Sequence, residues 1–387
     1  MGNTIALLPK YYIKGKKASL YKEGPYEENP RLLAEQWEHN GADGILIIDC
    51  SKEDDEHEKA IGICKEIARD TALSLHMGGH IKRLEDVKKY LYAGAKQVFV
   101  YSKMEEEDVF LEAKERFGAN RVIWTDYEKN TLLISDLKKW METTGKKWTE
   151  EYLILSCSQN TDFYAIKLEM KQREIPVITY EPQIAWDQFH LNSDGLMPVV
   201  VQDYRTGEVL MMAYMDEAAF SETVEYGKMC YYSRSRKERW LKGETSGHYQ
   251  YVKALYLDCD NDTILAKVAQ MGAACHTGSY SCFFQEILDK QAGGINPHEV
   301  LDTVYQVIED RKIHPKEGSY TNYLFDKGID KILKKCGEEA TEIIIAAKNP
   351  DPEELKYEIS DFLYHVMVLM VEKKVTWEDI MRELANR

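Results

Sequence analysis

Residues 198–215, PVVVQDYRTGEVLMMAYM, set two apolar runs on either side of Arg205-Thr206-Gly207. Strand formers flanking a short glycine-containing turn read as a β-hairpin. Upstream the pattern differs. Up to about residue 182, short apolar runs alternate with longer charged segments of helical period. The strands read there are Ile5–Leu8, Gly44–Asp49, Ala72–His76, Gln97–Tyr101, Arg121–Thr125, Tyr152–Cys157 and Pro176–Tyr180, with helices such as Pro30–Asn40, Glu56–Asp70 and Arg83–Ala93 between several of them. Such βα alternation calls for a parallel sheet or barrel. Glu181-Pro182 marks the change to hairpin signals. The breaker-rich Gly293-Gly294-Ile295-Asn296-Pro297 marks a second change, after which helical periodicity dominates. The reading is therefore multidomain: α/β over 1–182, α+β and β-rich over 183–292, all-α over 297–387. A chain of 387 residues agrees with units of about 150 residues each.

Hydrophobic residues make up 44% and charged residues 30% of the chain, enough for ordinary cores under a polar surface, which excludes a disordered or collagen-like protein. The apolar stretch Phe362–Val371 is about half of the roughly 20 residues a bilayer helix needs, and it contains His365. No membrane partner is expected. MGNTIALLPKYY at the start lacks the basic opening and long apolar centre of a secretory signal, so the expectation is a cytoplasmic protein with its 8 cysteines reduced. There, clustered cysteines serve as metal ligands or nucleophiles rather than disulfides. Lys and Arg number 50 against 66 Asp and Glu, and the net charge of −16 repels a phosphate backbone, which argues against a nucleic-acid partner. An anionic small substrate remains compatible if bound cations screen it.

The densest chemistry lies in LDCDNDTILAKVAQMGAACHTGSYSC, residues 257–282. Cys259, Cys275 and Cys282 offer soft thiolates suited to zinc, whereas Asp258, Asp260 and Asp262 offer hard oxygens suited to magnesium. With Tyr256–Asp260 extended, Asp258 and Asp260 share one face and Cys259 points to the other. Three thiolates leave one zinc position open for water, and His276 beside Cys275 is the expected proton shuttle. A D-N-D run alone is more simply a solvated turn, and three cysteines alone are more simply structural thiols. Their coincidence with a histidine favours the metal site.

This stretch, with GLMPVVVQDYRTGEVLMMAYM and YYSRSRKERWLKGETSGHYQ ahead of it, resembles phosphoribosyl-AMP cyclohydrolase over about residues 184–290. The resemblance implies hydrolytic opening of the adenine ring of phosphoribosyl-AMP. It assigns zinc to Cys259, Cys275 and Cys282 and magnesium to Asp258, Asp260 and Asp262, and it implies sites built across a homodimer interface. The second motif carries Arg234, Arg236, Lys237, Arg239 and Lys242, a basic stretch in an acidic protein and a place for a phosphate. The substrate-binding set read from it is Arg234, Arg236, Lys242, Gly243, Glu244, Ser246, Gly247 and His248. A solvated basic edge is the plainer alternative, and His248 alone would be read as a structural hydrogen-bonder.

Farther on, a helix read over Phe325–Lys348 places Leu333, Cys336, Ala340, Ile343 and Ala347 on one stripe, bordered by Glu339 and Glu342. After Asn349-Pro350-Asp351-Pro352, a second helix carries Glu358 and Asp361 at the same i, i+3 spacing. Any one of these acids reads as an ordinary surface residue. Four of them bordering apolar stripes point inward to a magnesium cage, because buried carboxylates need a compensating cation. The E-x-x-E and E-x-x-D pair, with the preceding residues 300–349, resembles phosphoribosyl-ATP pyrophosphohydrolase over about 297–387. Glu339, Glu342, Glu358 and Asp361 then hold magnesium and serve catalysis, with Lys331 and Lys335 as phosphate contacts. That domain would release phosphoribosyl-AMP, the substrate of the middle one.

YIKGKKASLYKEGPY, NGADGILIID and LHMGGHIKRLEDVKKYLYAGAKQVFVYS resemble, more distantly, the βα-barrel isomerase and cyclase of histidine biosynthesis over residues 4–181. Those enzymes use one acid after the first strand and one after the fifth. Asp126 matches the second, whereas Tyr11 stands in place of the first, and the turn Thr179-Tyr180-Glu181-Pro182 lacks the glycines that admit phosphate. The expectation is a degenerate or incomplete barrel without catalysis. The chain as a whole is read as a bifunctional hydrolase using Zn2+ and Mg2+ on phosphoribosyl-ATP and phosphoribosyl-AMP. The alternatives are a housecleaning nucleotide pyrophosphatase fused to an unrelated zinc hydrolase, and a noncatalytic metal-stabilised scaffold.

Overall fold

The computed structural model describes residues 4–101, 107–288 and 300–385. Two compact units emerge, Met1–Glu286 and Ile287–Arg387, and the Gly293–Pro297 breaker lies outside the described residues. No described helix is long and apolar enough to cross a membrane.

The first unit opens with β1 (Ala6–Lys14), β2 (Lys17–Ser19), β3 (Gly44–Asp49), β4 (Ser74–Gly79), β5 (Gln97–Tyr101), β6 (Val122–Thr125), β7 (Thr131–Leu133) and β8 (Tyr152–Ser156). Their order is β6-β5-β4-β3-β1-β8-β7, parallel throughout, with β2 antiparallel on β1. Helices α1 (Pro30–His39), α2 (Asp54–Asp70), α3 (Leu84–Tyr92), α4 (Glu107–Phe117), α5 (Leu137–Thr143) and α6 (Phe163–Gln172) complete the βα alternation. The α1 start is fixed locally: the Asn29 side chain accepts from the N–H groups of Arg31 and Leu32, and Pro30 sits where no donor is needed. All six residues of β3 are buried, because Ile45 and Ile47 pack under the helices while Leu46 and Ile48 face inward with Tyr12, Phe99, Tyr127 and Ile154.

Residues 126–130 join β6, at one end of this order, to β7 at the other. A five-residue link reaches at most about 20 Å, so the sheet must curl. Among the described strands β6 and β7 do not pair, and the curl is an incomplete barrel. Two readings of the sequence are corrected here, and one strand is added. Pro176–Tyr180 forms no strand, only a bridge between Val177 and Ile5, and Pro176 has no N–H to offer a ladder. β7 leaves no signal in the sequence, since three residues carry no periodicity. Tyr11 does not face the barrel interior: its ring lies 5.6 Å from that of Trp37 in the helical layer, and the inward neighbours are Lys10 and Tyr12. Neither is an acid. Lys10, 3% exposed, donates to Glu128 at 2.9 Å, and the Tyr12 hydroxyl donates to the same oxygen at 2.9 Å. Burial pushes the Lys10 ammonium below its usual pKa against the pull of Glu128.

The hairpin-rich part follows with β9 (Met197–Asp203), β10 (Val209–Met215), α7 (Glu217–Tyr226), β11 (Cys230–Ser233), β12 (Glu238–Leu241), β13 (Gln250–Leu257) and β14 (Ile264–Gln270). The 198–215 hairpin forms as read. Asp203 accepts from the N–H groups of Arg205 and Thr206 at 2.8 Å each, and Gly207 takes the left-handed φ of 75°. The four-stranded sheet runs β10-β9-β14-β13, and β11 and β12 form a separate ribbon. The edge strand β13 meets α1 of the barrel: Lys253 pairs with Glu38 at 2.8 Å, and His39 stacks on Tyr251 at 4.2 Å between ring centroids.

Burial first, and Lys253 second, lower the His39 pKa to about 4, and burial, then Lys96, does the same for His76, from an ordinary value of 6.5. The unfolded chain binds protons at these two sites that the folded chain cannot. Their stability contribution is therefore whole above pH 6.5 and declines as the pH falls toward 4. A loss on the order of 3 kcal/mol per histidine is expected. Denaturant melts of His39→Gln between pH 7 and pH 4 check it: the variant should show the smaller decline, and equal slopes would refute the assignment.

The second unit comprises α8 (Val300–Ile313), α9 (Tyr320–Lys327), α10 (Ile329–Ala346), α11 (Pro352–Lys373) and α12 (Trp377–Ala385). The helix read from Phe325 is interrupted at Gly328, whose φ of 79° is left-handed, so α10 starts at Ile329. Its packed face also differs from the stripe read in the sequence. Leu333 and Ala347 are exposed, while Ile332, Glu339 and Ala346 are the buried positions. Glu339 thus stands in the middle of the packed face rather than at its border.

Candidate functional site

The aspartates of the 257–282 segment lie on a turn, not on a strand. β13 ends at Leu257, paired with Ile264 of β14, and residues 258–263 form the connection. The extended geometry considered for Tyr256–Asp260 therefore stops at Leu257. The Asp258 carboxylate accepts the N–H groups of Asp262 and Thr263 at 3.0 and 3.1 Å, closing the turn around itself, and Asn261 takes a φ of 62°. This local capping brings oxygens of Asp258, Asp260 and Asp262 within 4.8 Å of one another. Desolvation raises the Asp258 carboxyl, but the bonds from Asp262 and Thr263 outweigh it and hold it below the usual carboxylate value.

The thiols divide. Cys275 and Cys282 face each other, and the Thr277 hydroxyl donates to the Cys275 sulfur at 3.1 Å. That bond is the first cause holding the Cys275 thiol below its usual pKa, whereas burial first, and Cys275 second, raise that of Cys282. Cys259 is exposed, its sulfur 3.8 Å from Asp260, and among the described residues it forms no three-ligand group with the other two. His276 is exposed with Nδ1 3.9 Å from the Cys275 sulfur.

The basic motif forms the β11–β12 ribbon and the loop after it. Arg234 lies over the Tyr214 ring at 4.0 Å, Arg236 pairs with Glu238 at 3.3 Å, and Arg239 pairs with Glu222. Lys242 is buried beside Cys275 and Cys282, which offset part of the lowering that burial imposes on its ammonium. Gly243 and Gly247, at φ 91° and 74°, let the chain turn back, and the His248 ring packs on Gly272 so closely that a Cβ there would lie 2.7 Å from it. Glu244 and Ser246 are exposed on this loop, and the Ser246 hydroxyl accepts from the His248 N–H at 3.2 Å. Lys242 and His248 thus sit against the thiol-bearing segment.

In the second unit, α10 and α11 pack against each other, with the Asp351 side chain capping α11 at the Glu353 N–H. Glu339, Glu342 and Glu358 bring oxygens within 4.8 Å of one another; Asp361 is half-buried and not in that group. Glu339 is 3% exposed, but Glu342 is exposed, contrary to four acids pointing inward. The reason is geometric: i, i+3 neighbours subtend about 60° around a helix axis. Lys335 pairs with Glu339 at 2.7 Å and with Glu338 at 3.2 Å, so it compensates the buried acid, and half-buried Lys331 lies one turn earlier. Burial first, and Glu342 second, raise the Glu358 carboxyl. Sequence reasoning missed Tyr320, whose hydroxyl donates to His365 Nε2 at 3.1 Å, while His365 Nδ1 donates to the Asp361 carbonyl at 2.8 Å and lies 3.7 Å from Glu339. It also missed His190, which is hydrogen-bonded to the aspartate turn.

Comparison with known proteins matches the chain to three families in succession: "Histidine biosynthesis protein" over residues 11–160, "Phosphoribosyl-AMP cyclohydrolase" over 211–284 and "Phosphoribosyl-ATP pyrophosphohydrolase" over 301–387. A curated relative from Thermoanaerobacter pseudethanolicus, "Histidine biosynthesis bifunctional protein HisIE", is 56% identical over 202 residues, covering 49% of this chain and 94% of the relative. The proteins of the same name from Caldanaerobacter subterraneus and Bacillus subtilis are 52% and 48% identical over 200 and 201 residues, covering 52% of this chain and 96% and 95% of theirs. With nearly the whole length of these relatives accounted for by about half of this chain, the protein belongs to the family of bifunctional histidine biosynthesis hydrolases, joining a phosphoribosyl-AMP cyclohydrolase to a phosphoribosyl-ATP pyrophosphohydrolase behind an additional N-terminal domain.

Proposed function

We propose that the second unit releases pyrophosphate from phosphoribosyl-ATP at Glu339, Glu342, Glu358 and Asp361, and that residues 183–292 open the adenine ring of the phosphoribosyl-AMP so formed. The observation that carries this reading is the pair of converged carboxylate groups, one in each unit, each inside or adjoining its matched region. Oxygen donors converged in this way suit magnesium, and the Cys275–Cys282 pair suits zinc. When bound, zinc lowers the pKa of its water to about 7, and magnesium neutralises phosphate charge. The residues of the chain do the rest. His276 moves the proton, Arg234 and Lys242 with the 243–248 loop hold the nucleotide phosphate, and Lys331 and Lys335 meet the departing pyrophosphate. Glu128 of the chain itself accepts from Lys10 and Tyr12 on the inward side of the first domain's sheet, which supports a noncatalytic role for residues 1–182.

Among the described residues Cys259 forms no three-ligand group with Cys275 and Cys282. We read the complete thiol set as shared between two copies in a homodimer. Mixing inactive Cys259→Ala and Cys275→Ala chains should then restore about a quarter of the parental ring-opening rate, from the one intact site of each mixed dimer. Failure to recover activity from exchanged subunits would refute sharing. The overall reading is tested by giving the full chain phosphoribosyl-ATP with Mg2+ and Zn2+ and following products over time. Pyrophosphate should appear first and the ring-opened nucleotide second; a metal-loaded chain producing neither is not this enzyme.

A further inference from the structure

We propose that His190 is a positioning residue for the aspartate turn, acting through the backbone of Asp260 and Asn261. The proposal rests on reading that turn as the magnesium-binding element of the cyclohydrolase site. Residues 186–190 lie on the path from the barrel strands to β9 and are anchored by apolar contact: the rings of Trp186, Phe189 and Phe220 lie 5.1, 5.4 and 5.3 Å apart in pairs, which fixes the segment to α7. From this anchor the His190 N–H donates to the Asn261 carbonyl at 2.7 Å and its Nδ1–H to the Asp260 carbonyl at 2.5 Å. The Asn261 side-chain amide donates back to the Gln188 carbonyl at 3.3 Å.

Three bonds therefore converge on two consecutive residues, one of them an aspartate of the cluster and the other at a φ of 62°. A non-glycine residue in the left-handed region persists only where its surroundings over-determine it. The direction of the Asp260 and Asp262 side chains follows from the peptide planes between them. Fixing the carbonyls of Asp260 and Asn261 fixes those planes and keeps the three carboxylates converged before any cation arrives. His190 is exposed, so its ring adds hydrogen bonding here rather than core burial.

His190→Ala in the full chain deletes the ring bond and keeps the backbone one. Amide hydrogen exchange over residues 258–263 should quicken about fivefold, the effect of one hydrogen bond, and the Mg2+ concentration for half-maximal ring opening should rise by a similar factor. The rate at saturating Mg2+ and the Mg2+ requirement of pyrophosphate release should stay unchanged. His190→Gln, which retains a donor, should recover both quantities. Unchanged exchange at 258–263 in His190→Ala would overturn the proposal, as would quickening spread evenly over β9 to β14. A parent chain that opens no ring at any Mg2+ concentration sinks the functional reading instead, and the exchange comparison still decides the clamp.

Discussion

Cys275→Ala is expected to lower ring opening of phosphoribosyl-AMP by about a thousandfold or more while pyrophosphate release continues at the parental rate. The magnitude follows from the several kcal/mol that a bound Lewis acid contributes to such a hydrolysis. Cys275 is buried, held by the Thr277 hydroxyl and facing Cys282, so the alanine removes one of the two facing thiols. The void is small, and the domain should remain folded. Zinc analysis of the purified variant and separate assays of the two half-reactions provide the check. Loss of pyrophosphate release in a folded Cys275→Ala protein would contradict independent sites.

Glu339→Gln is expected to do the reverse, cutting pyrophosphate release about a hundredfold or more and sparing ring opening. Glu339 is the buried member of its group and shares its charge with Lys335 at 2.7 Å. The amide keeps the shape but leaves the ammonium facing a neutral group, so the second unit should also lose stability, by no more than about 3 kcal/mol because Lys335 retains Glu338. The rise in melting temperature that Mg2+ gives the parent should shrink in the variant. A variant with unaltered pyrophosphate release would remove Glu339 from the site.

How much of this was legible in the sequence depended on whether the signal was local. Gly44–Asp49 and Gln97–Tyr101 are legible to the residue, because a run buried on both faces of a parallel sheet is apolar through its middle, here Ile45 to Ile48 and Val98 to Val100. The 198–215 hairpin is equally clear, since two apolar runs flank a short glycine-containing turn. The face of α10 was misjudged for a physical reason: Leu333, Ile344 and Ile345 are 50%, 66% and 60% exposed, so apolar residues surround the helix and no single stripe stands out, while the centre of the packed face is an acid. The donor character of the aspartates is plain in the sequence, but extension through Asp258 and Asp260 gives way to a turn, because the closing bonds from Asp262 and Thr263 to Asp258 compete with extension and leave no trace in alternation. His190 was invisible, as it meets a turn 70 residues away.

The grip of Glu128 on Lys10 and Tyr12 also bears on what the interior of the first domain can admit. A carboxylate tethered by so short a loop acts as a resident anion at an effective concentration of millimolar or more, and any free solute must evict it. An aspartate at position 12 would then crowd two negative groups around a single buried ammonium. A charge introduced there and an anion arriving from outside thus meet the same obstacle: the seat beside Lys10 is already taken, and either newcomer must first displace Glu128.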